Sequence, residues 1–189
     1  MSPTHARSAQ VVSDIVGAAR RRFGDIGYEA TSIDEIAADA GRTKGAVYHH
    51  FADKRALFQH AFVAEQRHIA SIVSRAGDLP HGVSVYLRTI AKNPGAARIT
   101  LIDGPVVLGW TAWRSCDDGP FRSMVRASLS AYDGLDAHYD LDQLTELLLG
   151  AITEAAEHIA TSPRPVPTAR TYATQLERMI TAIVEPSRP

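Results

Sequence analysis

Residues 31–58, TSIDEIAADAGRTKGAVYHHFADKRALF, constrain this chain more than any other stretch. Ser32 followed by Glu35 makes a capping box, in which each side chain satisfies the other residue's free backbone N–H at a helix start. Ile33, Ile36, Ala37 and Ala40 then share one helical face, and Gly41 stands where that helix must close. Thr43 can cap a second short helix over residues 44–51 with Val47 and Phe51 facing inward. Asp53 can cap a long helix reaching residue 75, with Leu57, Phe58, Ala61, Phe62, Ile69 and Ile72 as its apolar face. Two short helices crossing at a tight turn lay the second one across the DNA major groove, which is wide enough to admit it.

The exposed residues of that second helix divide by reach. Thr43, Lys44 and Gly45 lie at its N-terminal tip, where base edges come closest; Lys44 can donate to guanine O6 or N7, and Gly45 lets the backbone approach. Tyr48, His49 and His50 stand further along, within reach of phosphates. Thr31, Ser32 and Lys54 flank the helix pair, and Arg42 adds positive charge beside the turn. A packed three-helix unit that meets no nucleic acid would also explain each residue singly. Caps and spacing correct together over the whole segment favour the DNA reading.

Bulk properties permit this without requiring it. A chain of 189 residues with 45% hydrophobic and 22% charged residues is of ordinary soluble globular composition. Net charge is −1, and residues 1–60 hold eight Lys/Arg against seven Asp/Glu, so placement of charge matters more than excess. The single Cys116 cannot form an internal disulfide, and a reducing cytoplasm is the expected location. Without a resolving partner a redox role for it is disfavoured. No apolar run approaches the roughly 18–20 residues of a membrane span, and the N-terminus does not read as a secretory signal.

Elsewhere the periodicity is helical throughout. Val12, Ile15, Val16, Ala19, Phe23 and Ile26 give a first helix over residues 8–26 ended by Gly27, with its Arg20-Arg21-Arg22 run read as a solvated face. After a break at residues 77–80, helices are expected near 82–91, 94–102 and from 105. A turn or kink follows at 117–120, then helices over 121–132, Leu141–Thr161 and 168–184. With no β-alternation, the fold class is all-α: a reader over residues 1–53 and a second helical domain over 54–189.

Phe23, Gly27, Thr31, Ile36, Ala37, Gly41, Gly45, Tyr48, His50, Phe51, Lys54 and Leu57 together resemble the N-terminal domain of the tetracycline-repressor (TetR) family of bacterial transcription regulators. The resemblance covers about a quarter of the chain. It implies an Ω-shaped, all-helical homodimer of about nine helices per subunit, with an N-terminal three-helix reader and a C-terminal domain for effector binding and dimerisation. It further implies a repressor of a palindromic operator, released by a small-molecule effector. Thr43, Lys44 and His49 occupy positions variable in that family, so no operator sequence carries over. A constitutive dimeric DNA binder without a ligand is the alternative.

For the second domain, Leu141, Leu144, Leu148, Ile152, Ala155 and Ile159 recur at helical spacing, as do Tyr172, Leu176, Met179, Ile180 and Ile183. These faces can meet across a dimer in a four-helix interface, or be used within one subunit; the resemblance favours the dimer. Trp110 and Trp113 share a helix face and, with Phe62, Tyr86 and Met124, are candidates to line a pocket for a small apolar or aromatic effector; core packing is the competing reading. Glu154 and His158, one turn apart, read as a surface hydrogen bond rather than a metal site. No metal or cofactor is expected. Nor is enzymatic activity, since phosphate loops, Gly-x-Ser-x-Gly elbows and His-Glu-x-x-His are all absent from the sequence.

Overall fold

The computed structural model describes residues 3–184, and the side chains of 7–115 and 119–184; the Cys116 side chain lies outside them. Ten α-helices make up the described chain: α1 (Pro3–Ile26), α2 (Ile33–Asp39), α3 (Lys44–His50), α4 (Lys54–Val73), α5 (Leu79–Lys92), α6 (Pro94–Ala97), α7 (Gly104–Leu108), α8 (Trp110–Ser130), α9 (Leu141–Thr161) and α10 (Pro165–Val184). A π-helical turn, Arg98–Asp103, separates α6 from α7, and a 3₁₀ turn, Leu135–Ala137, precedes α9. Among the described residues there is no strand, and no helix is long and apolar enough to cross a membrane.

The chain forms two compact units. The first joins Met1–Glu65 to Gly95–Trp113. Its core is the inner face of the reader: Ile15, Ala18, Ala19 and Phe23 of α1 meet Ile33, Ile36, Ala37, Val47, Leu57 and Phe58, all buried. Phe58 stands edge-on to both Phe23 and Tyr28, with ring centroids 5.2 Å apart in each pair. The returning segment is tied to α1 and α4 largely through backbone groups. Tyr28 N–H donates to Asp103 at 2.8 Å, Arg98 donates to the carbonyls of Gly24 and Asp25, and Arg55 donates to those of Val107 and Leu108.

The π-helical turn has a visible companion. The carbonyl of Thr100 accepts the indole N–H of buried Trp113 at 2.7 Å, inserting a side-chain bond into a helical ladder. Gly104, just beyond, is pressed against Phe62 and Trp113.

The second unit joins Gln66–Pro94 to Arg114–Pro189. Here α5 packs against α9 and α10, burying Leu79, Val83, Tyr86, Leu87 and Ile90 with Leu148, Ile152, Ala156, Ile159, Leu176 and Ile180. Arg122 pairs with Glu146, and Arg126 with Asp142 at 2.5 Å, fastening α8 to α9.

Among the boundaries that differ from expectation, α1 at Pro3 and α10 at Pro165 among them, two have identifiable reasons. Asp78 accepts from His81 N–H at 2.8 Å and Pro80 occupies the first turn, so α5 starts at Leu79 rather than at residue 82. Of the turn or kink expected at residues 117–120, the turn does not form: these residues lie inside α8, which runs through Pro120. A proline there removes one helical hydrogen bond without ending the helix.

Candidate nucleic-acid interface and ligand cavity

The reader's local chemistry follows its caps. Glu35 N–H donates to Ser32 Oγ at 3.2 Å while Ser32 N–H donates to Glu35 Oε2 at 2.9 Å, completing the capping box of α2. Gly41 takes φ +63°, and the chain turns there. Thr43 Oγ1 accepts from Ala46 N–H at 3.1 Å to start α3. Only Val47 of α3 is buried; Thr43, Lys44, Gly45, Tyr48 and His49 are exposed, and His50 is half-buried with its ring 5.0 Å from that of His49.

The cations of this surface already have acceptors. Lys44 Nζ lies 2.8 Å from Asp34 Oδ2, and that hydrogen bond raises the lysine's pKa. Arg42 meets Asp14 at 2.6 Å, and Arg22 bridges Asp39 at 2.5 Å and Glu35 at 3.2 Å. Arg20 pairs with buried Glu65 at 2.7 Å, so two members of the Arg20-Arg21-Arg22 run serve structural pairs. Lys54 donates to the Glu29 carbonyl at 3.3 Å and sits 4.3 Å over the Tyr28 ring.

Of the residues the sequence placed toward DNA, Thr31 alone is buried. It is 2% exposed, and its hydroxyl donates to the Gly27 carbonyl at 2.7 Å, closing the connection from α1 to α2. Ser32 is exposed, but its hydroxyl serves the capping box. The partner carboxylates Asp14, Asp34 and Asp39 went unread, because sequence spacing shows acidic residues on a helix but not which cation each will face.

In the second unit, a cavity of about 270 Å³ lies among Val73, Ser74, Leu79, Gly82, Val83, Tyr86, Phe121, Met124, Val125, Ser128, Leu149, Ile152 and Thr153, with Asp78 also in its lining. Tyr86 and Phe121 meet edge-on at 5.3 Å. Among the described residues, its walls carry no Lys, Arg or His. Tyr86 and Met124 of the expected pocket set line it. Phe62 and Trp113 are instead fully buried core of the first unit, and Trp110 is 62% exposed beside Trp113 with ring centroids 5.1 Å apart. Phe121, adjoining Gly119-Pro120, and Ile152, read as dimer seam, are lining residues that sequence pattern did not assign to a pocket.

The α9 and α10 stripes are largely used inside the subunit. Leu144, Leu148, Ile152, Ala155, Ile159, Leu176 and Ile180 are buried there, while Leu141, Tyr172 and Ile183 are half-buried. Leu147 and Met179 remain outward, 72% and 50% exposed. His158 Nε2 lies 3.0 Å from Glu154 Oε1 on the same outer side of α9.

Comparison with known proteins assigns both the N-terminal and the C-terminal part of the chain to one family. Residues 15–61 match the family described as "Bacterial regulatory proteins, tetR family", and residues 78–183 match "Tetracyclin repressor-like, C-terminal domain". The TetC protein of transposon Tn10 from Escherichia coli is 32% identical over 154 residues, covering 76% of this chain and 77% of that one. The transcriptional repressor AcnR of Corynebacterium glutamicum is 33% identical over 75 residues, 40% of this chain and 37% of its own. The A-factor receptor protein of Streptomyces griseus is 49% identical over 61 residues, 32% of this chain and 22% of its own. These two matches therefore span well under half of either relative. Among solved structures, a TetR-family transcriptional regulator from Pectobacterium atrosepticum superposes with a TM-score of 0.72 at 26% identity over the full length of both chains. FadR from Bacillus subtilis, in complex with stearoyl-CoA, shares the fold with a TM-score of 0.63 at 14% identity, covering 93% and 99% of the two chains. With an outward-facing helix-turn-helix matched by one family profile and most of the helical remainder by another, this chain belongs to the tetR family of bacterial DNA-binding regulatory proteins.

Proposed function

We propose that the protein is a homodimeric repressor that covers a palindromic operator and is released when a small apolar or aromatic ligand enters the cavity of its second unit. The observation that carries the ligand response is that cavity: about 270 Å³, lined mainly by aliphatic and aromatic side chains, with a few hydroxyls to orient an occupant. Like other regulators of its family, the protein acts by binding rather than by chemistry.

In this reading Lys44 and Gly45 meet base edges, while Tyr48, His49, His50, Ser32, Arg42 and Lys54 position the reader on phosphates. Two α3 helices must stand about 34–36 Å apart to enter successive major grooves on one side of the duplex. The outward Leu147 and Met179, flanked by half-buried Ala151, Tyr172 and Ile183, supply the apolar face through which a second copy sets that spacing. Helix α4 carries Lys54 at its start and contributes Val73 to the cavity wall at its end. A ligand that displaces Val73 therefore acts on the helix that begins in the reader. A coupling of about 1–3 kcal/mol would lower operator affinity ~5- to 150-fold.

The test has two stages. Duplexes bound by the full-length protein are selected from random sequence, and a palindrome is expected. Affinity for it is then measured against a panel of compact neutral aromatic compounds, for the wild type and for Ser128→Phe, which fills the cavity. A ligand that weakens wild-type binding and leaves Ser128→Phe on the operator supports the reading. Recovery of non-palindromic DNA, or release of both proteins alike, rejects it.

A further inference from the structure

We propose that the groove between α5 and α10 is a second ligand site, built for a small amphiphilic anion: a carboxylate or phosphate ester carrying a short apolar chain. The groove encloses about 280 Å³. Its floor is apolar and made of small side chains, buried Ala91, Ala169 and Ala173, with Val166 at one end. Its remaining lining is polar and cationic. Arg88, Lys92 and Arg170 supply three positive charges against the single carboxylate of Glu177, a net of +2, and Ser84 and Thr174 add hydroxyls.

These cations differ from those of the DNA reader. Arg20, Arg22, Arg42 and Lys44 are each answered by a carboxylate at 2.5–3.2 Å. Among the described residues, Arg88, Lys92 and Arg170 enter no ion pair, and Arg88 is anchored only by donation from Nε to the Ser84 carbonyl at 3.2 Å. Three cations gathered over an apolar floor, with one carboxylate beside them and no ion pair formed, match a ligand that is charged at one end and apolar at the other.

The groove is distinct from the cavity beside Tyr86, yet it shares a helix with it. On α5, Gly82, Val83 and Tyr86 face the cavity, and Ser84, Arg88 and Lys92 line the groove. On α10, Arg170, Thr174 and Glu177 lie roughly opposite Tyr172 and Met179 around the helix, at 3.6 residues per turn. Association through the outward apolar residues of α10 therefore leaves the groove open. The two sites also differ in charge, since the described residues of the cavity wall include no cation; an anion has reason to choose the groove.

The test uses the full-length protein, isotope-labelled, in titrations at matched ionic strength. Hexanoate and hexyl phosphate supply the two headgroups, hexan-1-ol the chain without charge, and inorganic phosphate the charge without chain. Hexanoate or hexyl phosphate should shift the amides of Ala91, Ala169, Ala173 and Thr174. Both half-ligands should bind at least about tenfold more weakly, and the Arg88→Gln/Arg170→Gln variant should lose affinity by about tenfold. The tighter of the two anions identifies the headgroup. If that double variant does not fold, Lys92→Gln carries the same comparison with a smaller loss. The proposal is overturned if neither anion binds, if hexan-1-ol binds as well as hexanoate, if the shifts centre on Tyr86 and Met124, or if removing the cations changes nothing.

Discussion

Lys44 meets a carboxylate before it meets DNA. Its ammonium sits 2.8 Å from Asp34 at the exposed tip of α3, so the base-reading role proposed for it would require exchanging one acceptor for another. Asp34→Asn removes the competitor and a negative charge beside the duplex. Affinity for unrelated DNA should then rise about 3- to 10-fold, with log K against log salt steeper by about one, while operator affinity rises less. Fluorescence anisotropy at several salt concentrations reads both; an unchanged slope would count against this role for Asp34. The neighbouring pairs make a pH prediction. Arg22 holds the carboxyls of Asp39 and, after the Ser32 hydrogen bonds, Glu35 below their ordinary values of 3.8 and 4.5, and Arg42 does the same for Asp14. Depressed carboxylate pKa values contribute stability that is present above the unfolded values and is lost as pH falls through the folded ones. Thermal midpoints should therefore hold from neutral pH down to about 4.5 and fall below it. Asp39→Asn should show a shallower fall across that acid range.

Two glycines act on their elements for opposite reasons. Gly41 takes φ +63° with open space around it, so Gly41→Ala should cost about 1–2 kcal/mol through backbone strain alone, and Gly41→Asn less. Gly104 has an ordinary helical φ, but an added Cβ would stand 2.9 Å from Phe62 and 3.0 Å from Trp113. Gly104→Ala should cost about 1–3 kcal/mol through overpacking. Urea unfolding of the three variants separates the mechanisms: Asn rescues only where the backbone is the problem. Gly41 was legible because capping and turn chemistry are local, and the same holds for Ser32, Glu35, Thr43 and the ends of α9. Gly104 was not, since its role depends on a helix forty residues earlier and on a π-helical turn that no periodicity announces. The cavity was half legible for a similar reason. Tyr86 and Met124 declared themselves by type, whereas Trp113 is as good a pocket wall as a core residue until its indole is seen bonded to Thr100.

At the scale of the whole molecule, assembly and recognition should separate cleanly by face. Leu147→Glu with Met179→Glu places charge on the outward apolar face while leaving the buried stripe of α9 and α10 intact. Sedimentation should show monomers with unchanged helicity, and palindromic operator affinity should fall at least 100-fold as the second reader is lost. Retained dimers would move the interface elsewhere. The self-neutralised reader surface has its own consequence for the search along a genome. Long-range attraction speeds encounter only when charge is left uncompensated, and here residues 1–60 hold eight basic side chains against seven acidic ones. Association should accordingly run near the unassisted range of roughly 10⁵–10⁶ M⁻¹s⁻¹, and barely quicken in dilute buffer. Such a protein finds its address by dwelling there, not by being pulled toward it.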